Sequence, residues 1–418
     1  MAAEMAANSF AAIQEDPKAI FVAQMALELH RAGVASDQLE RTISSVSGVL
    51  GLQVEIFALP TNVTLAIGPR YAQQIVMLRM SPGRVNLRKL ARLNEIFDDL
   101  QRGAVTLQSA IAHLRELDAI WPPPPAYMTI VALACVAVGV AVLLGGGVHE
   151  LIVAALIGVS TGVLSFFTTR NAVMDRLFEV FAAFVATLIV AAYTHYAHPV
   201  NLYISIVAGV VVLLPGYSLT LALHELANQD LIAGTARLGR VFAILLSLGC
   251  GAFLGFAVVG SVFAHTADVQ PHPVGTSFWV VAILLLSFGL SVDLDARFRD
   301  FAWVFLASIV ALGTSYAFGK VPGAHQVAPF LASLICGLVA NGGAKFLRVP
   351  QPVFLIPALH VLVPGSLSYQ SVLWVVSRSN YADAATLAIN ALIAAVLIVA
   401  GLLLSQLIVP GAPLRVER

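Results

Sequence analysis

Ten apolar runs follow Tyr127, each near the length a helix needs to cross a bilayer, and they limit what this chain can become. They lie at about 128–145, 151–168, 178–197, 200–222, 238–263, 275–291, 300–319, 325–342, 349–373 and 382–409. A soluble fold could not cover so much apolar surface. Mean hydropathy is +0.88, and only 11% of residues are charged, against roughly a quarter in an average soluble protein. The formal net charge is +0, and no Lys/Arg cluster stands out. Nucleic acid is excluded as a partner, because phosphate binding needs concentrated positive charge.

The chain changes character at Trp121-Pro122-Pro123-Pro124-Pro125, where four prolines end any helix and favour a stiff spacer. Residues 1–125 hold 11 of the 23 Lys/Arg and 12 of the 23 Asp/Glu. This part is expected to be a soluble α+β domain. Lys18 to Ala32 has helical spacing, with Gly33 as its C-cap. Asp37-x-x-Glu40 is expected to cap a second helix running to about Leu50. Val54, Ile56 and Ala58, then Val63, Leu65 and Ile67, alternate as strands around a Pro60-Thr61-Asn62 turn. A third strand is expected over 74–80, and two helices over 86–102 and 106–120, split by Gly103. Met1 to Phe10 lacks the basic and apolar regions of a secretory signal, so the domain is expected in the cytoplasm.

Positive charge alternates along the loops. Arg170 and Arg176, Arg237 and Arg240, Arg297 and Arg299, and Lys345 and Arg348 fall on one side, with Arg415 and Arg418 of the tail. Lys320 and Arg378 stand alone on the other. Ten spans with both termini in the cytoplasm satisfy the positive-inside rule.

The chain also repeats itself. Val212-Leu213-Leu214-Pro215-Gly216 recurs as Val361-Leu362-Val363-Pro364-Gly365, 149 residues later. The expected fold is therefore the α+β domain followed by an all-α polytopic membrane domain of about ten helices. Residues 126–268 and 269–418 form two five-helix units. Five is odd, so the second unit enters from the opposite side, giving inverted repeats of the kind secondary transporters use. Each Pro-Gly pair is expected to break its helix, and such breaks at membrane depth line cavities. Pro215, Gly216, Ser218 and Thr220, with Pro364, Gly365, Ser366, Ser368 and Tyr369, are the candidate substrate-binding residues. Gln370 follows in the same polar stretch.

Ionisable groups within spans are candidates for proton coupling. His360 lies one turn before Pro364, and an imidazole exchanges protons near cellular pH. His224, Glu225 and Asp230 lie toward the cytoplasmic end of the fourth span. Arg170, after Thr168-Thr169, reads as a solvated loop arginine. Glu28, His30 and Glu40 offer a face with which the soluble domain gates the mouth. Gly158-Val159-Ser160-Thr161-Gly162 matches G-x-S-x-G, but a serine nucleophile needs a strand-to-helix elbow and this segment is an apolar helix. Small residues so spaced permit close helix packing. Cys135, Cys250 and Cys336 sit in apolar runs and form no metal motif. No phosphate-binding loop or zinc-protease motif occurs, so no enzyme activity, metal or cofactor is expected.

At these residues the chain resembles the threonine/serine exporter (ThrE) family. The likeness rests on Leu27-Glu28-Leu29-His30-Arg31-Ala32-Gly33, the Glu40 helix, and Gly48 to Leu52 leading into Val54-Glu55-Ile56-Phe57. It continues through Leu87 to Asn94, Gly103, Ala110 and Leu114. In the membrane part it rests on Leu214-Pro215-Gly216, Asp230-Leu231-Ile232-Ala233-Gly234 and Val363-Pro364-Gly365-Ser366. The resemblance implies proton-driven export of small hydrophilic metabolites, threonine and serine first, across the plasma membrane. Relatives in two separate chains point to C4-dicarboxylates such as succinate as the alternative. A membrane-anchored sensor is the reading from another class. The expected partners are a small substrate, protons and the lipid bilayer, and a homo-oligomer is compatible with all of this.

Overall fold

The computed structural model describes residues 16–80, 83–120, 124–168, 172–262, 270–321, 323, 325–346, 349–378 and 381–410. The segment Met1 to Phe10, Trp121 to Pro123, Arg170, Arg348, Arg415 and Arg418 lie outside them.

The N-terminal region has the order helix–helix, sheet, helix–helix. Helix α1 (Pro17–Arg31) starts at Asp16, whose carboxylate accepts from Lys18 N at 2.8 Å. It ends before Gly33, which takes φ +79°. A side chain there would also strike the backbone at Val85, 2.9 Å away, so glycine is needed twice over. Helix α2 (Ser36–Val49) follows. The expected capping box is absent, since Ala35 is the N-cap and no side chain caps the helix. Asp37 instead reaches Asn228, and Glu40 accepts from Ala58 N at 2.8 Å. Tertiary contacts have claimed both carboxylates.

Strands β1 (Val54–Leu59), β2 (Asn62–Ile67) and β3 (Gln74–Arg79) form an antiparallel meander. Ile56 faces Leu65, Ala58 faces Val63, and Val63 faces Leu78, so one face is apolar and turned inward. Helices α3 (Leu87–Gln101) and α4 (Leu107–Ile120) complete the region. Phe21, Met25, Leu39, Leu65, Leu93 and Phe97 are its buried centre.

The rest is helical. The helices are α5 (Ala126–Leu143), α6 (Val148–Thr168), α7 (Ala172–Arg176), α8 (Phe178–Tyr196) and α9 (Leu202–Gly209). Then come α10 (Gly216–Ala227), α11 (Leu231–Val262), α12 (Phe278–Asp293) and α13 (Phe301–Gly319). Last are α14 (Ala328–Phe346), α15 (Gln351–Leu362), α16 (Gly365–Arg378) and α17 (Tyr381–Ile408). Among the described residues eight segments are long and apolar enough to cross a membrane. The pair α9 and α10 makes a ninth if counted as one bent span, and α12 is a shorter apolar helix.

Small residues set the helix spacing. Gly139 lies against the Ala282 carbonyl, and Gly289 against that of Ala132, so α5 and α12 approach backbone to backbone. Gly158 and Gly162 press on Ala134 and Ile130 of α5, and Ser160 Oγ donates to Ile157 O. The G-x-S-x-G segment is thus a packing face, as expected of small residues in a helix.

Candidate functional site

Proline dictates the geometry of both helix breaks. The residue before a proline is pushed out of the α region into extended backbone. Leu214 accordingly takes φ −69°, ψ 126°, and Val363, its counterpart in the repeat, takes φ −69°, ψ 138°. In the first break α9 stops at Gly209, a 3-10 turn spans Val211–Leu213, and α10 leaves at 61° to α9. In the second, α15 stops at Leu362 and α16 starts at Gly365.

The two breaks meet. A Cβ added at Gly216 would lie 2.9 Å from Gly365 Cα and would strike the Val363 side chain. Pro215, Gly216, Pro364 and Gly365 are all buried. Ser218 and Ser366 are half-buried just beyond the crossing. Each proline carbonyl opens the next helix: Pro215 O accepts from Leu219 N at 2.9 Å, and Pro364 O from Ser368 N and Oγ at 3.0 Å.

A cavity of about 420 Å³ opens beside this crossing. That is ample for a small metabolite, since ligand pockets run from about 300 to 1,000 Å³. Three helix faces supply most of its lining, with Leu90 of α3 and Leu402 and Gln406 of α17 adding to it. From α10 come Tyr217, Thr220, Leu221 and His224, which share one stripe at helical spacing. From α2 come Asp37, Gln38, Arg41 and Ser45, and from α15 Gln351, Leu355 and Leu359. The N-terminal region thus forms one wall.

His360 sits at the seam. Its ring stacks on Tyr217 at 4.7 Å, 17° from parallel, and its Nδ1 donates to Ile356 O at 2.9 Å.

Glu225 is fully buried and receives two hydrogen bonds from Arg237, at 2.9 and 2.7 Å. Ser36 N donates to it at 3.2 Å. The carboxylate therefore joins α10, α11 and the start of α2. Asn228 Nδ2 donates to Asp37 at 3.0 Å, and His224 Nδ1 lies 3.8 Å from the same oxygen. Asp230 accepts from Ala233 N at 3.4 Å, and burial raises its carboxyl above the usual range.

A second seam joins α3 to the segment after α12. Leu87 N and Arg88 N donate to Leu294 O and Asp295 O at 2.9 and 3.0 Å. Arg88 pairs with Asp295 at 2.8 Å, and Arg297 with Glu95 at 2.6 Å. Burial works against the Glu95 charge, but hydrogen bonds from Arg297, Arg92 and Arg299 outweigh it and hold its carboxyl below the usual value.

The structure therefore brings together Pro215, Gly216, Thr220, His224, His360, Pro364 and Gly365 around the crossing and its cavity. Glu225 and Asp230 stand beside it in the docking seam. Ser368 is spent on the Pro364 carbonyl. Tyr369 lies apart, wholly buried among Val153, Ile157, Val190 and Leu373. Glu28 and His30 do not form an open face. Glu28 is 4% exposed and pairs with Arg31 and Lys89, and His30 is buried with Nε2 donating to Leu59 O. Burial lowers the His30 pKa, which disfavours the charged ring there. Glu40 holds Ala58 N.

Asp37, Arg41, Tyr217, Arg237 and Gln351 were not among the expected site residues. The signal for the first two was present, since Asp37, Gln38, Arg41 and Ser45 form a polar stripe on the helix face opposite Leu39, Ile43 and Val46.

Two family models cover most of the chain. The model described as "Putative threonine/serine exporter" matches residues 20–259, and that described as "Threonine/Serine exporter, ThrE" matches 277–408. A "Probable threonine/serine exporter" of Mycobacterium tuberculosis is 28% identical over 68% of this chain and 55% of its own length. The "Pheromone-regulated membrane protein 10" of Debaryomyces hansenii is 24% identical over 84% of this chain and 36% of its own. That of Zygosaccharomyces rouxii is 22% identical over 84% and 37%. The chain thus spans about a third to a half of the length of these relatives. No solved structure matches it. With family models over both its halves, the chain belongs to the threonine/serine exporter (ThrE) family.

Proposed function

We propose that this protein is a secondary transporter that exports small polar amino acids, threonine and serine first, across the plasma membrane by proton antiport. Residues 1–125 are its cytoplasmic domain, ending in the Pro-rich linker. Residues 126–268 and 269–418 are two five-helix units of opposite orientation, ten spans in all. Both termini lie in the cytoplasm.

The observation that carries this reading is the meeting of Gly216 and Gly365. Two matched breaks that touch on a pseudo-axis, with a cavity beside them, suit alternating access to one site. Repeated packing supports the two units. Gly251 of α11 presses on Val180 of α8, and Gly401 of α17 presses on Phe330 of α14, so the third and fifth helices pair the same way in each. The eight long apolar helices, the bent pair and α12 together support ten spans. Within the site, Pro215, Gly216, Ser218, Thr220, Pro364, Gly365 and Ser366 hold or shape the space for substrate, while Ser368 and Tyr369, bonded or buried elsewhere, support the second break from behind. His360, stacked on Tyr217 at the cavity wall, carries the coupled proton, with His224, Glu225 and Asp230 on its path to the cytoplasm.

Counterflow in proteoliposomes tests this, with labelled threonine, serine and succinate, with and without a pH gradient. Threonine or serine flux should rise with the gradient. In His360→Gln the exchange should persist while the response to the gradient is lost. Succinate flux in place of the amino acids would replace the substrate, and a gradient response retained by His360→Gln would remove that residue from coupling.

A further inference from the structure

We propose that Asp37 and Arg41 of α2 form the head-group end of the substrate site, with the carboxylate for the ammonium and the guanidinium for the carboxylate of a zwitterionic α-amino acid. This rests on the transport reading and deepens it, because the cytoplasmic domain then supplies part of the binding site.

The charges of the cavity point to that class. Among its lining residues one carboxylate, Asp37, and one guanidinium, Arg41, stand one helical turn apart, with His224 the remaining ionisable nitrogen base. A zwitterion with ammonium and carboxylate on one carbon matches such a pair. A dicarboxylate of the same size would set its second carboxylate against Asp37, with no second guanidinium to receive it.

The hydrogen bonding agrees. Asp37 is 9% exposed, and its Oδ2 is engaged by Asn228 at 3.0 Å. Its Oδ1 is buried with no partner among the described residues. A buried carboxylate oxygen without a donor is costly, so it calls for one from outside the protein. Thr220 Oγ1 is in the same condition, on a residue 2% exposed. It faces this cavity from α10 and suits a substrate hydroxyl. Arg41 is not spent on Asp37: the pair is 3.6 Å apart, beyond a good hydrogen bond, and the arginine side chain is 57% exposed. Arg41 is therefore placed to meet an entering carboxylate, which it can grip with two parallel donors.

The test uses the full-length protein in proteoliposomes with the cytoplasmic face accessible. Labelled threonine counterflow is competed by threonine, its methyl ester (no carboxylate) and N-acetylthreonine (no ammonium). The unaltered protein should reject each analogue by about tenfold or more, the loss expected for a hydrogen bond to a charged group. In Arg41→Gln the half-saturating threonine concentration should rise by a similar factor. The methyl ester should then compete as well as threonine, while N-acetylthreonine stays rejected. Asp37→Asn should show the converse. Since Asp37 also holds Asn228, the Arg41 variant, altered at an exposed side chain, decides the matter if Asp37→Asn does not fold. An Arg41→Gln protein that keeps normal half-saturation and still rejects the ester overturns the proposal and leaves the transport reading standing. An unaltered protein that moves no threonine overturns both.

Discussion

The two broken helices share a backbone and differ in chemistry. Leu214 and Val363 have nearly the same dihedrals, and each precedes a Pro-Gly pair that restarts a helix. Past that point they diverge. Nine residues after Gly216 stands Glu225, buried and clasped by Arg237. At the equivalent place, 149 residues on, stands Trp374, whose ring stacks on Tyr203 at 5.3 Å. The first break is followed by a carboxylate where the second is followed by an aromatic ring. The N-terminal region docks on this end of α10 through Ser36 and Asp37. The shared Pro-Gly sequence explains the common bend, and the docking partner explains the divergence.

The largest effect is expected at Glu225. Replacing it with leucine leaves Arg237 partly buried without its counter-charge, which costs about 3–5 kcal/mol for a pair of this kind. Thermal unfolding of the detergent-solubilised protein should show the loss, and adding Arg237→Met should recover most of it. If the double variant is as unstable as the single one, the pair is not what holds this end of α10.

The crossing itself comes next. Gly216→Ala places a methyl 2.9 Å from Gly365 Cα, whereas Gly365→Ala meets nothing closer than 3.2 Å. Overpacking of this sort costs about 1–3 kcal/mol, so the first substitution should impair stability and flux more than the second. Equal effects would mean that the breaks separate readily.

The two docking seams should answer pH in opposite directions. Glu95 is held below its usual pKa, so its contribution is present above the unfolded value, near about 4.3, and is lost as pH falls through the lower folded value. Burial raises Asp230 and Glu40, so their contribution is complete below the unfolded value and is lost as pH rises through the folded one. Hydrogen exchange across α3 and α2 between pH 3 and 6 reads the two seams separately. Glu95 is 37% exposed, so its share is under about 1 kcal/mol. Parallel responses would show that other groups govern the docking.

A small effect is expected at Trp374. Replacement by phenylalanine keeps a ring on Tyr203 and should cost only part of the roughly 0.5–1.5 kcal/mol that such a pair is worth, well below the loss at Glu225.

Much of this was legible in the sequence because it depends on local rules. Alternation at Val54–Ala58 and Val63–Ile67 located the strands, and the Pro-Gly pairs located both breaks. What escaped depends on partners distant in sequence. Asp37 and Glu40 have the spacing of a capping box, yet Asn228 and Ala58 N outcompete the helix terminus for them. Arg237 looks like any loop arginine until Glu225 folds against it. Glu28 and His30 are polar types that the fold buries, with Lys89 and Arg31 pairing Glu28 and Leu59 O accepting from His30 Nε2. The cavity is built mainly from segments centred near residues 40, 220 and 355, with Leu90, Leu402 and Gln406 added, so no single stretch of sequence could display it.

The N-terminal region is bonded through Ser36 N and Asp37 to Glu225 and Asn228, and through α3 to the segment 294–299. Under the transport reading proposed above, it would be a strap across the gap between two five-helix units. If those units rock against each other, a strap bonded at both ends has to release one seam, and the cavity wall made by Asp37 and Arg41 would travel with whichever end holds. Dye pairs placed across each seam would reveal which end lets go during turnover, and so which unit carries the lid.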